Sequence, residues 1–179
     1  MIERTPITVY YLQMTAEDQF RPSTRLVADF EIRQAIAPSP DYSRFLYATV
    51  GEKWRWYERL SWTRERWLAW LDRPEQETWV GYVQGTPAGY YELEHQPDAT
   101  VQIIYFGLMP DFIGSGYGGA LLSAAIRRGW ESGAKRVWVH TCTLDHEYAL
   151  RNYLARGFQV FKEEKKDVII PPYPAVSPL

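Results

Sequence analysis

At 179 residues, 46% of them apolar and 16% aromatic, the chain is long enough for one compact hydrophobic core and too apolar for intrinsic disorder. Its formal charge of -2, with 20 basic and 22 acidic residues interspersed, argues against the concentrated basic face of a nucleic-acid-binding protein. A single cysteine, Cys142, rules out an intramolecular disulfide and a cysteine-rich metal cage. The opening MIERTPITVYYLQM lacks the layout of a signal peptide, and no apolar run approaches the ~20 residues of a membrane span. A cytoplasmic protein without membrane or nucleic-acid partners is expected.

Ile7 to Met14 is rich in β-branched and aromatic residues and reads as a strand. Arg25 to Ile36 fits either strand or helix. From Asp41 to Leu71 the apolar residues Phe45, Leu46, Val50, Trp54, Tyr57, Leu60, Trp67, Leu68 and Leu71 recur mostly at helical spacing, and Ser61 or Thr63 is placed to cap the second of two helices. Five tryptophans lie between Trp54 and Trp70, suited to an acceptor pocket or to core or dimer packing. Thr78 to Gln84 and Ala88 to Glu94 read as strands joined at Gly85-Thr86-Pro87, and Thr100 to Met109 as a third strand. A helix follows over Ala120 to Trp130, ended by Gly133. Then come a strand at Arg136 to Thr141, a helix at Glu147 to Arg156 and a strand from Gln159 to Glu163 or beyond. Residues 1–170 thus read as one α/β domain around a mixed sheet, and 171–179 as a proline-rich tail.

The chemistry concentrates in IIYFGLMPDFIGSGYGGALLSAAIRRGW, where a strand runs through a short loop into glycines 114, 116, 118 and 119 at the start of a helix. Glycine permits backbone angles closed to other residues and lets a ligand approach the main chain, and the helix start favours an anion such as pyrophosphate. A P-loop requires Lys-Ser or Lys-Thr after the last glycine, where this chain has Ala120-Leu121. Gly114, Gly116 and Gly119 satisfy the dinucleotide pattern G-x-G-x-x-G, but the loop from Met109 to Ile113 separates strand from glycine and few residues remain for further βα units.

The stretch resembles the cofactor motif of the GNAT superfamily of N-acetyltransferases, Arg/Gln-x-x-Gly-x-Gly/Ala after a strand, with Gly116 and Gly118 at the small positions. A second block, ALRNYLARGF from Ala149 to Phe158, is similar to the family's helix carrying a tyrosine before Gly-Phe. Ile113 departs from the family's Arg or Gln, and Ser115 from another commonly basic position, which leaves Arg127, Arg128 or Arg151 as candidates to assist the backbone. The resemblance implies a mixed, mostly antiparallel sheet with helices on both faces. It also implies acetyl-CoA as co-substrate and direct attack by a primary amine on the thioester, with dimers common. It assigns the pyrophosphate to the backbone from Gly114 through Ser115, Gly116, Tyr117 and Gly118 to Gly119. The pantetheine arm goes to a splayed strand end at Phe106, Gly107, Leu108 and Met109, where Gly107 and Pro110 suggest a bulge. Asn152 is counted among the cofactor residues, and Tyr153 is the implied general acid. Glu92 and Glu94 share one strand face opposite Leu93 and are the candidates for general base. Asp145 reads as a cap for the Tyr153 helix, and the histidines at 95, 140 and 146 lack zinc-site spacing. Two other readings stand beside this one: a non-catalytic acyl-CoA-binding module of the same fold, and a nicotinamide-dependent oxidoreductase.

Overall fold

The computed structural model describes residues 4–172, so most of the proline-rich tail lies outside the described residues. Among these, β1 (Thr5–Met14), β2 (Phe30–Gln34), β3 (Gln76–Val83), β4 (Thr86–Gln96), β5 (Thr100–Leu108), β6 (Arg136–Cys142) and β7 (Gln159–Val168) form one sheet in the order β2-β3-β4-β5-β6-β1-β7. Only β5 and β6 run parallel; the other neighbours are antiparallel, as expected for a mixed, mostly antiparallel sheet. The N-terminal β1 lies between β6 and β7, a placement that no local pattern announces.

Among the described residues, four α-helices cover the two faces: α1 (Pro40–Gly51), α2 (Arg64–Leu71), α3 (Tyr117–Glu131) and α4 (Ala149–Ala155). Helix α3 packs Leu121, Leu122, Ala125 and Ile126 against Leu12, Leu93, Val101, Ile103, Val137 and Val139. Each fully buried leucine or isoleucine there contributes roughly 1.5–3 kcal/mol, which holds the glycine turn at the start of α3 in place. On the other face α1 sets Leu46 and Val50 against Val80 and Tyr90, while Tyr47, Leu60 and Trp67 form an adjoining cluster.

Local chemistry explains most element ends. The Thr63 side chain accepts a hydrogen bond from Arg66 N–H (3.3 Å) and caps α2. Helix α3 starts earlier than expected, taking Gly118 and Gly119 into its first turn after Gly116 at φ 93°. Helix α4 is shorter than expected, and Asp145 does not cap it. Its carboxylate accepts instead from Thr141 Oγ1 (2.5 Å) and Cys142 N–H (3.1 Å). The undecided stretch from Arg25 divides into an irregular segment and the short β2.

Glu77 on β3 ties the sheet to α3. Arg128 donates to it from Nε and Nη2 (2.8 and 2.7 Å), Trp79 Nε1 donates at 2.7 Å, and His95 Nε2 lies 2.9 Å away. Burial alone would raise this carboxyl, but the hydrogen bonds from Arg128, Trp79 and His95 outweigh it and hold it at about 2. A depressed carboxyl contributes stability above its ordinary value near 4.5 and loses it as pH falls toward 2. Glu77→Gln is therefore expected to remove up to about 3 kcal/mol at neutral pH and to flatten the acid decline. Urea unfolding midpoints from pH 7 to about 2 test this; an unchanged acid slope would refute it.

Candidate active site

The site begins with one extra residue in β5. Glu92 faces Tyr105 and Leu93 faces Ile103, so Ile104 bulges from the ladder. The bulge reverses the alternation of side chains. Before it, Val101 and Ile103 point to the α3 side; after it, Phe106 and Leu108 do, and Tyr105 joins the α1 side. Pairing between β5 and β6 runs from Thr100↔Arg136 to Ile103↔Val139 and stops there, so the strands part at the bulge. The sequence suggested a bulge at Gly107, but that residue stays paired with Tyr90. Glycine is needed there for another reason: a Cβ would lie 2.5 Å from Val50 Cγ1 of α1.

A cavity of about 640 Å³ occupies the gap between the parted strands. Of the residues expected around the cofactor, Phe106, Gly107, Leu108, Gly114, Gly116, Gly118, Gly119, Asn152 and Tyr153 line it. Met109, Ser115 and Tyr117 do not; the Tyr117 ring packs against Phe30 and Phe112, with centroids 5.0 and 6.1 Å apart. Gly114 and Gly116 have φ of 86° and 93°, so the turn requires glycine there for its conformation. Among the described residues no side chain caps α3, which leaves the N–H groups of its first turn and the positive end of its dipole facing the cavity. This donor set fits a pyrophosphate.

Tyr153 is 5% exposed, its ring edge-on to Phe106 (6.1 Å) and Phe158 (5.9 Å). Burial pushes its phenol well above the ordinary value and nearby Asp145 pushes it further, so it stays protonated. Glu58 and His140, both exposed, line the same cavity together with Tyr47, Tyr105, Trp54 and Trp56. Since Phe106 and Tyr153 belong to the α3-side core and Tyr47 and Tyr105 to the α1 side, the cavity joins the two faces of the sheet.

Glu92 and Glu94 lie elsewhere. Glu92 is fully buried, accepts from Arg59 Nη1 (2.7 Å) and Trp70 Nε1 (3.2 Å), and does not line the cavity. Glu94 pairs with Arg73 at 2.8 Å and is likewise outside it. The tryptophan cluster divides in the same way. Trp54 and Trp56 face the cavity, whereas Trp62 and Trp70 hold the Arg59 guanidinium over their rings at 4.8 and 4.3 Å. Two lining residues, Arg25 and Glu58, carried no sequence signal, because both sit in irregular segments without periodicity.

A sequence model of the acetyltransferase (GNAT) family matches residues 39–158, about two thirds of the chain. The chain belongs to the GNAT acetyltransferase family. Solved GNAT structures share the fold. A GCN5-related N-acetyltransferase from Sphaerobacter thermophilus is 22% identical, with a TM-score of 0.66 over 94% of this chain and 54% of its own. One from Kribbella flavida is 15% identical, with a TM-score of 0.60 over 89% of this chain and 55% of its own. An aminoglycoside acetyltransferase from an uncultured soil metagenomic sample is 19% identical, with a TM-score of 0.58 over 72% and 87%. This GNAT chain thus spans about half the length of the first two. Among curated protein sequences none matches significantly.

Proposed function

We propose that the protein is an N-acetyltransferase that moves an acetyl group from acetyl-CoA to a primary amine by direct attack. The parting of β5 and β6 carries this reading, because it brings the glycine turn and Tyr153 into one cavity. The turn from Gly114 to Gly119 holds the pyrophosphate on backbone N–H groups, and the free edge of Phe106 to Leu108 receives the pantetheine arm. One of the two groups on the acceptor side, Glu58 or His140, takes the first proton from the attacking ammonium. As the N–C bond forms and the thioester C–S bond breaks, Tyr153 donates its phenolic proton to the leaving sulfur, and the second proton shed by the nitrogen restores the phenol. Trp54, Trp56 and Tyr105 wall the acceptor side and suit an amine with an apolar body.

Ile113, where the family motif has Arg or Gln, favours a second reading, a non-catalytic acyl-CoA-binding module. Calorimetric titration with acetyl-CoA, with NADH as control ligand, followed by thiol-release assays over a panel of amines, separates the two. One-site binding of acetyl-CoA and amine-dependent CoA release are expected. Binding without release for any amine would favour the binding module, and no heat at millimolar acetyl-CoA would overturn both.

A further inference from the structure

We infer that Arg25, from outside the glycine motif, supplies the cationic side chain that grips the pyrophosphate of acetyl-CoA; this rests on the acetyl-CoA reading above. Position 113 is isoleucine, so the turn itself carries no basic side chain. The segment that follows β1 crosses the turn instead, and three contacts fix its path. Arg21 N–H donates to Arg156 C=O at 2.9 Å. Gln19 O packs against Gly157 so closely that a Cβ on Gly157 would collide with it. Ser23 N–H donates to Ser123 Oγ at 2.8 Å, and that hydroxyl donates in turn to Gly119 C=O at 2.7 Å. Two residues further on, the Arg25 guanidinium lies directly over Gly116, where a Cβ would overlap its Nε and Cζ.

The electrostatics of this placement call for an anion. Arg25 lines the cavity and has no carboxylate partner among the described residues. It stands at the positive end of α3, where a helix disfavours a cation and favours an anion. A pyrophosphate between them satisfies both, accepting from the guanidinium fork on one side and from the uncapped N–H groups on the other. Arg156 flanks the same turn, its Nη1 3.0 Å from the place of a Cβ on Gly119.

The test is the Kd of acetyl-CoA, and of acetyl-dephospho-CoA, for the wild type, Arg25→Ala and Arg25→Lys. Arg25→Ala is expected to weaken acetyl-CoA by about 10–100-fold, the loss of a charge-assisted hydrogen bond, and Arg25→Lys by less. Acetyl-dephospho-CoA keeps the pyrophosphate and lacks the 3′-phosphate, so its penalty should be the same. Arg25 is exposed in an irregular segment, so the melting temperature should not move. Equal affinity of Arg25→Ala and wild type for acetyl-CoA would overturn the assignment. A penalty that vanishes with acetyl-dephospho-CoA would overturn the pyrophosphate contact in favour of the 3′-phosphate. Failure of the wild type to bind acetyl-CoA at all would instead overturn the acetyltransferase reading, and this inference with it.

Discussion

Tyr153→Phe is expected to lower turnover by about 10²–10⁴-fold, the usual contribution of a positioned general acid, while changing the Kd of acetyl-CoA by no more than roughly twofold. The substitution removes one oxygen and keeps the ring that packs between Phe106 and Phe158. Folding and the cofactor cradle should therefore survive. On the proposed mechanism, what is lost is the proton that this phenol, kept protonated by burial and by Asp145, delivers to the departing sulfur. Turnover at saturating amine, read by CoA release, checks this, and unchanged turnover would remove Tyr153 from the mechanism. The same assay on Glu58→Gln and His140→Gln locates the base. A drop in turnover with intact acetyl-CoA binding is expected for at least one of them, and none in either would return the base to solvent.

Arg59→Met should be the most damaging single change to stability, costing about 3–5 kcal/mol, because it leaves Glu92 as an uncompensated buried charge. Arg59 is 4% exposed and Glu92 0%, and the pair is enclosed by Trp62, Trp70 and Tyr105. Glu92 Oε1 and Tyr90 Oη already lack hydrogen-bond partners among the described residues, so little is available to absorb the loss. Converting both partners, Arg59→Met with Glu92→Met, should recover most of the stability, since a buried pair and a well-packed apolar replacement are often close in free energy. Urea unfolding of the two variants decides the matter. A double variant as unstable as the single one would show that the guanidinium's stacking on the rings, rather than the orphaned carboxylate, carries the effect.

These features differ in how far they could be read from sequence. The turn from Gly114 to Gly119 and helix α3 were legible because their signal is local, glycines at short spacing followed by apolar residues at helical spacing. The shared face of Glu92 and Glu94 was legible too, since strand alternation is local. What covers that face was not, because it depends on a cage built by α2 and the preceding loop, far away in the chain. The bulge at Ile104 left no composition signal, yet it reverses which side chains of β5 reach each face and so opens the site. Arg25 was invisible for a similar reason. Its position is set by hydrogen bonds to Ser123 and Arg156, partners distant in sequence.

The interior position of β1 has a consequence for the order in which the molecule can be completed. Strand β1 pairs with β6 on one side and β7 on the other, and Tyr11 donates to Glu164 across 153 residues of chain. On a ribosome, synthesis at about 5–20 residues per second leaves β1 waiting roughly 8–30 s for that partner. Contacts of such long range also slow folding. The segment bearing Arg25 leaves the sheet from the end of β1 and is held by Ser123 and Arg156, so the arginine comes to rest over Gly116 only after helix α4 has been made. On the Arg25 assignment, competence to grip the nucleotide end of a ligand would then be acquired late, once the chain has been made as far as Arg156.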